Sequence, residues 1–199
     1  MKKLLHVGCG PKTLANIPVR FDPTEWEEIR LDIDPSVKPD ITGSTTNMSA
    51  VETASMDAVF SSHNIEHLYP HEVPLALAEF RRVLKPTGFL VVTCPDLQEV
   101  ARLVAEGKLT ETAYHSPAGP IAPIDILYGH RASMARGNLF MAHRCGFTMK
   151  ALLGTLKAAG FRAIAGKRRT KAFDLWAVAS AEALDKDQLA RLVGQWLPA

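Results

Sequence analysis

Two short apolar runs, each ending in residues that suit a ligand, constrain this chain more than any other feature. The first, at residues 4–7, runs into the turn Gly8-Cys9-Gly10-Pro11, and the second, at residues 28–32, ends in Asp32. In a βαβ unit the carboxyl ends of parallel strands lie side by side, where such sheets bind nucleosides. Glycines let the backbone approach a ligand, and a carboxylate accepts from ribose hydroxyls. The pattern therefore predicts an adenosine-type cofactor.

The glycine turn differs from that of dinucleotide-binding proteins. Those turns have the form G-x-G-x-x-G, because a pyrophosphate sits on the N-terminus of the helix that follows. Here no third glycine follows Gly10, and Pro11, Pro18 and Pro23 argue against a long first helix. A cofactor without phosphates fits this turn better. A Gly-x-Gly turn by itself also occurs where no ligand binds.

The next segments extend the pattern in order. A short buried strand at residues 57–61 leads into His63-Asn64-Ile65-Glu66-His67-Leu68, and a helix then ends at Arg81-Arg82-Val83-Leu84-Lys85-Pro86-Thr87-Gly88. The apolar run at residues 89–94 is typical of a strand covered on both faces. With the glycine turn and Asp32, these segments make the chain resemble the class I S-adenosylmethionine-dependent methyltransferases. The resemblance covers residues 3–96 and, more loosely, residues 147–181.

The resemblance implies an α/β fold in a single domain over residues 1–199. The implied sheet is Rossmann-like, seven-stranded and mostly parallel, with an antiparallel terminal strand, a truncated first helix and a lid insertion after strand five. Further strands are expected near residues 39–42, 161–165 and 172–180. Asp96 and Thr148 are expected as helix N-caps, and residues 184–196 as a closing amphipathic helix.

The resemblance also implies a function: methyl transfer from S-adenosylmethionine to a small-molecule acceptor through an oxygen or nitrogen nucleophile. His63 and His67 follow the fourth strand and are the candidate catalytic bases, since imidazole titrates near neutrality. The candidate cofactor-binding residues are His6, Gly8, Cys9, Gly10, Asp32, Ile33, Ser44, Thr45 and Ser62. In the family an acid usually stands at the position of His6, a glycine at that of Lys12, and an acid near Ser44.

Residues 108–147 form an insertion with poor regular periodicity, which we predict to be a lid over the substrate site. Its candidate substrate-binding residues are Tyr128, His130, Arg131 and His143. Its basic residues outnumber its acids, so an acidic group on the substrate fits. They are Lys108, Arg131, Arg136 and Arg144 against Glu111 and Asp125.

Two other functions remain open at this stage. The departures at His6, Lys12 and Ser44 fit a methyltransferase-like module that binds or regulates without catalysis. His63-x-x-Glu66-His67 also matches the H-x-x-E-H pattern of a class of zinc hydrolases. That pattern needs both histidines on one face of a helix, whereas here it follows a short strand and Pro70 comes soon after. We therefore expect no metal ligands.

Composition excludes several classes of protein. The net charge of +2 is too small for a strong grip on nucleic acid, so none is expected. No apolar run is long enough to span a membrane. Three cysteines, Cys9, Cys94 and Cys145, show no paired spacing, which favours a reducing cytoplasm. The sequence does not indicate an oligomeric state.

Overall fold

A seven-stranded sheet organises this computed structural model, which describes residues 1–19 and 21–198. The strands are β1 Lys2–Val7, β2 Trp26–Asp32, β3 Ile41–Thr42, β4 Met56–Ser62, β5 Leu84–Pro95, β8 Ala163–Arg169 and β9 Asp174–Ser180. A separate hairpin contains β6 Tyr114–Ser116 and β7 Gly119–Ile121. The spatial order of the sheet is β3-β2-β1-β4-β5-β9-β8, and only β9 runs against the others. The α/β fold class predicted from the sequence is confirmed.

Alternating side chains of the central strands supply a core on each face of the sheet. Leu5 and Val59 belong to one core, whereas Leu4 and Phe60 belong to the other, as the period of two along a strand requires. Helices α1 Val73–Val83 and α5 Met149–Ala158 cover the first face, and α6 Lys186–Trp196 covers the second. Burial on both faces explains why these strands read as continuous apolar runs.

Helix boundaries follow the expected capping signals. Asp96 accepts a hydrogen bond from the Gln98 backbone N–H (3.1 Å) and caps α2 Leu97–Ala105. Thr148 accepts from the Ala151 N–H (3.3 Å) and caps α5. In the described part of the β1–β2 connection, the only helical piece is the 3-10 turn Leu14–Asn16, which agrees with a truncated first helix.

The strands of the terminal hairpin have other boundaries than the sequence predicted. The basic segment at residues 166–169, expected as a loop, continues β8 because it pairs with β9. Its arginines are bound to acids: Arg168 contacts Asp96 at 2.7 Å, and Arg169 pairs with Asp174. The predicted boundaries at residues 161–165 and 172–180 were therefore wrong by a few residues, since strand pairing extends β8 toward the turn.

The insertion is more regular than its sequence indicated. Besides the β6–β7 hairpin it contains α3 Pro123–Tyr128 and α4 Arg131–Ala135. Each element has only three to six residues, too few for a period to show in the sequence. The insertion packs on a small core of its own around Val100, Ile121 and Ile126. Among the described residues, no helix combines the length and apolarity needed to cross a membrane.

Candidate active site

A cavity of about 250 Å³ opens at the carboxyl edge of β1, β2 and β4. Six of the nine predicted cofactor-binding residues line it, namely Gly8, Gly10, Asp32, Ile33, Ser44 and Thr45. The edge of the sheet collects these residues because parallel strands end there together, although the loops that carry them are far apart in sequence.

Asp32 and the glycine turn lie in direct contact. Oδ2 of Asp32 accepts a hydrogen bond from the Gly10 N–H (2.7 Å), and Oδ1 accepts from the Asp34 N–H (2.9 Å). A carboxylate has about four acceptor positions, so each oxygen retains capacity for a further donor from the cavity. The two places that the sequence predicted to be neighbours are therefore joined by a hydrogen bond.

Arg30, which precedes Leu31 and Asp32 on β2, binds the loops on both sides of the cavity. Its guanidinium donates to the carbonyls of Gly10 (2.6 Å), Lys12 (3.0 Å) and Lys38 (2.9 Å). All three acceptors are backbone oxygens, so one side chain holds the glycine turn and the β2–β3 loop together. Arg30 itself does not line the cavity, but it holds the backbone of Gly10, which does.

At Gly8 a side chain would be both strained and in collision with a neighbour. Its φ is +62°, and a Cβ placed there would lie 2.1 Å from Nδ2 of Asn64. Asn64 lines the cavity as well, and its buried Oδ1 has no hydrogen-bond partner among the described residues. An amide oxygen in this state indicates a place for a donor from a ligand.

Three other predicted cofactor residues do not line the cavity in the described structure. His6 is buried, and its Nδ1 donates to Oε1 of Glu28 at 2.8 Å; burial lowers the pKa of this histidine. Cys9 is buried, and burial raises the pKa of its thiol to about 11. Ser62 shares a hydrogen bond with the hydroxyl of Thr93 (3.0 Å). These residues support the site from behind.

His63 lines the cavity at the end of β4 in an unusual backbone conformation. Its φ is +50°, and its N–H donates to the Thr93 carbonyl (3.0 Å). Nδ1 lies 3.3 Å from Oε1 of Glu66, and the His63 side chain is 48% exposed. Desolvation pulls the pKa of His63 down, but the interaction with Glu66 outweighs it and raises the pKa above its ordinary value.

His67 also lines the cavity, but its ring is tied to the insertion. Its Nδ1 donates to the Ala142 carbonyl at 3.0 Å. Residues Ile65–His67 form a single 3-10 turn, so the two histidines of the H-x-x-E-H pattern do not share the face of an α-helix. The helical geometry on which the zinc-hydrolase reading depended is absent from this described segment.

The predicted substrate-binding residues do not line this cavity in the part of the chain that the structure describes. Tyr128 is 63% exposed, and His130 is hydrogen-bonded to Ser133 (2.8 Å). Arg131 donates to both oxygens of Asp125, at 2.7 and 3.1 Å, and His143 lines a smaller cavity. The insertion instead contributes Asn138, Phe140, Met141 and Arg144 to the main cavity. No periodicity marks these four positions.

The Asp125–Arg131 pair makes a prediction about acid stability. The bond to Arg131 lowers the pKa of the buried Asp125 carboxyl to about 2. A depressed pKa stabilises the fold above the unfolded value near 3.8, and the contribution is lost as pH falls through about 2. Because Arg131 is exposed and screened by water, we expect the pair to contribute roughly 1–2 kcal/mol.

We therefore expect Asp125→Asn to lower the free energy of unfolding by that amount at pH 7, and the difference from the parent protein to shrink between pH 4 and pH 2. Urea unfolding at a series of pH values measures both quantities. A difference that does not change with pH would contradict the assignment to the ion pair.

Comparison with known proteins agrees with this geometry. A family model described as "Methyltransferase domain" matches residues 5–92, which run from β1 through most of β5. The matched segment, which is less than half of the chain, is similar to a methyltransferase domain. The match ends at residue 92, before the insertion at residues 108–147. It therefore includes β1 to β4 and most of β5, but none of the insertion residues that line the cavity. None of the curated proteins matches the sequence.

Several solved structures share the fold at low sequence identity, and two of the three described here are named as methyltransferases. A protein of Pyrococcus horikoshii is 17% identical with a TM-score of 0.62, over 90% of this chain and 82% of its own. The 1,6-didemethyltoxoflavin-N1-methyltransferase of Burkholderia thailandensis, solved with bound 1,6-didemethyltoxoflavin and S-adenosylhomocysteine, is 15% identical (TM-score 0.57; 89% and 70% covered). A methyltransferase of Archaeoglobus fulgidus is 14% identical (TM-score 0.57; 90% and 86% covered).

The residues of the cavity fit an adenosyl cofactor. Gly8 leaves room that a Cβ would fill, the Asp32 carboxylate has acceptor capacity for two hydroxyls, and the buried Asn64 Oδ1 is ready to accept. Ser44 and Thr45 also line the cavity. The hydroxyl of Ser44 is occupied by Thr46 (2.8 Å), so the backbone around it is the surface this methyltransferase offers there.

Proposed function

We propose that this methyltransferase transfers the methyl group of S-adenosylmethionine to a small-molecule acceptor that carries an acidic group, through an oxygen or nitrogen nucleophile. The observation that supports this best is the shared cavity. Asp32 and the glycine turn form one wall, whereas His63 and Arg144 stand elsewhere on its lining. A nucleoside bound in this cavity would therefore share it with a candidate general base, His63, and with a cationic side chain, Arg144.

The cofactor, when bound, supplies a methyl group on a positively charged sulfur, so no further activation of the donor is needed. The protein has to hold the acceptor in line with that methyl and exclude water. Asp32 anchors the ribose in this proposal, and the Gly8–Gly10 turn accommodates the methionine part. Phe140 and Met141 cover the cavity with apolar surface from the insertion, which we propose to act as a lid.

His63 is the proposed general base for a hydroxyl acceptor. Nε2 of His63 would take the proton of the acceptor hydroxyl, while Nδ1 faces the Glu66 carboxylate at 3.3 Å. The bound cofactor would supply the methyl group, whose bond to sulfur would break as the bond to the acceptor oxygen forms, leaving neutral S-adenosylhomocysteine. His67 is less suited to this role, because its Nδ1 is committed to the Ala142 carbonyl and its ring orientation is fixed by the insertion. An amine acceptor would need only its neutral form.

Arg144 is the proposed partner of an acidic group on the acceptor. Its guanidinium lies 4.6 Å from the centre of the Tyr69 ring, which orients it over the cavity while leaving its N–H groups free to donate. Arg131, the cation favoured by the sequence, is already paired with Asp125. We therefore propose Arg144, in place of Arg131, as the residue that binds the acidic group.

Cofactor binding tests the proposal directly. We expect calorimetric titration to show S-adenosylhomocysteine binding to the parent protein, and Asp32→Ala to weaken it at least about tenfold through loss of charge-assisted hydroxyl bonds. Asp32→Asn keeps an acceptor oxygen for the Gly10 N–H and isolates the effect of the charge. Asp187→Ala, at the exposed start of α6, is the matched control.

An unchanged dissociation constant in both Asp32 variants would refute the ribose assignment. Absence of binding to the parent protein would favour a non-catalytic module. If the parent protein does bind the cofactor, screening pooled metabolites for conversion of S-adenosylmethionine to S-adenosylhomocysteine would identify the acceptor. We also propose a cytoplasmic location, consistent with three free thiols on Cys9, Cys94 and Cys145, which cell fractionation tests.

A further inference from the structure

Glu66, His67 and His143 form a cluster of which the methyl transfer proposed above uses Glu66 alone, as the neighbour of His63 Nδ1. One potential ligand atom from each residue lies within 4.8 Å of the others. His143 reaches the cluster because the end of the insertion is bound to the 3-10 turn: the N–H groups of Arg144 and Cys145 both donate to the Glu66 carbonyl, at 2.8 and 3.2 Å. The cluster thus joins two distant parts of the chain.

Backbone carbonyls fix the tautomer of both imidazoles. His67 Nδ1 contacts the Ala142 carbonyl (3.0 Å), and His143 Nδ1 contacts the Ile126 carbonyl (2.7 Å). A carbonyl only accepts, so both Nδ1 atoms carry the proton and both Nε2 atoms keep a free lone pair. The rings lie 4.9 Å apart at an angle of 67°. Backbone carbonyls that fix the tautomer in this way are typical partners of metal-bound histidine.

The third member is a buried carboxylate that lacks protein donors. Glu66 is 1% exposed, and neither of its carboxylate oxygens accepts a hydrogen bond from the residues that the structure describes. His63 approaches one oxygen at 3.3 Å without hydrogen-bond geometry. A buried carboxylate without donors carries a large desolvation cost, which a bound cation removes.

We propose that Glu66, His67 and His143 bind a divalent transition-metal ion, with Zn²⁺ as the reference ion. Two imidazoles and one carboxylate are ligands that Zn²⁺ and its neighbours accept, whereas Mg²⁺ and Ca²⁺ prefer oxygen alone. Ligands on one Zn²⁺ lie about 3.3 Å apart at bonds of about 2.0–2.2 Å.

The location gives the metal a route and an open position. His67 lines the main cavity, while Glu66 and His143 line an enclosed cavity of about 20 Å³ behind it, room enough for one water. Three protein ligands leave at least one coordination position for water or an acceptor oxygen. The idea that the metal coordinates the acceptor depends on the methyl transfer proposed above. The idea that the three residues bind a metal does not depend on it.

Metal binding is measured on the full chain after removal of metals with EDTA, by titration with Zn²⁺ against a chromophoric chelator and without cofactor. We expect one Zn²⁺ per chain. His143→Ala and Glu66→Gln are each expected to weaken binding about a hundredfold or more, since even outer partners of metal ligands are worth 10–100-fold. His115→Ala, at an exposed histidine on β6, is the matched control and should bind as the parent does.

Two further measurements separate loss of the site from loss of the fold. Metal-free His143→Ala should bind S-adenosylhomocysteine as the parent protein does, and Co²⁺ added to the parent should give visible absorption bands that His143→Gln lacks. Absence of stoichiometric Zn²⁺ binding in the parent, or retention of full affinity in His143→Ala, would overturn the proposal. Because cofactor titration needs no metal and Zn²⁺ titration needs no cofactor, the two proposals fail independently.

Discussion

Replacing His63 with asparagine is expected to lower kcat by a factor of about 10² to 10⁴ with a hydroxyl acceptor, which is the usual contribution of a positioned general base. His63 lines the cavity and its Nδ1 faces Glu66, so its Nε2 is the atom available to take the acceptor proton. Asparagine offers no comparable base.

Asparagine is the informative replacement because of the backbone. His63 has a φ of +50°, a region that Asn adopts more readily than most residues, so the turn after β4 should persist. The dissociation constant for S-adenosylhomocysteine should then stay within a factor of about two. His115→Asn controls for the general effect of removing a histidine. Unchanged turnover in His63→Asn would show that the acceptor needs no base, as expected for a neutral amine.

Replacing Gly8 with alanine is expected to lower the free energy of unfolding by roughly 2–4 kcal/mol and to weaken S-adenosylhomocysteine at least about tenfold. A Cβ at Gly8 would meet Nδ2, Cγ and Cβ of Asn64 at 2.1, 2.6 and 3.0 Å. The whole Asn64 side chain must therefore move, and it forms part of the cavity lining. The φ of +62° adds conformational strain for alanine.

Gly10→Ala is the matched control in the same turn. Gly10 also has a positive φ, +52°, but its added Cβ would have no neighbour within 4 Å. Its cost in stability should be only the conformational penalty of about 1–2 kcal/mol. Urea unfolding and calorimetric titration of the two variants measure both effects. Equal losses of stability would contradict the steric role assigned to Asn64.

The core of the fold could be predicted from the sequence because its signals are local. Continuous apolar runs such as residues 89–94 indicate covered parallel strands. Asp96 and Thr148 mark helix starts because each side chain accepts a hydrogen bond from a backbone N–H two or three residues later. The hairpin boundaries were less accurate, since the extent of β8 depends on pairing with β9. The insertion was missed as regular structure because its elements are too short to show a period.

The residues of the candidate site also fall into those that local sequence signals place and those that only packing places. Asp32, Gly8 and Gly10 could be found because strand ends in a parallel sheet necessarily meet, so position along the chain is enough to place them. His6, Cys9 and Ser62 occupy expected positions in sequence, but they lie behind the cavity lining. Which side chain of a loop or strand end faces a cavity depends on the pleat and on local packing.

The sequence by itself determined the sheet, its covered faces and the edge at which we propose that a nucleoside cofactor binds, because these follow from apolar periodicity and the termini of parallel strands. Only the tertiary structure decided which residues of the insertion reach the cavity. It paired Arg131 with Asp125, placed Arg144 over Tyr69 and brought His143 to Glu66 and His67. Contacts between segments so distant in sequence arise from packing across the whole chain, and no local pattern encodes them.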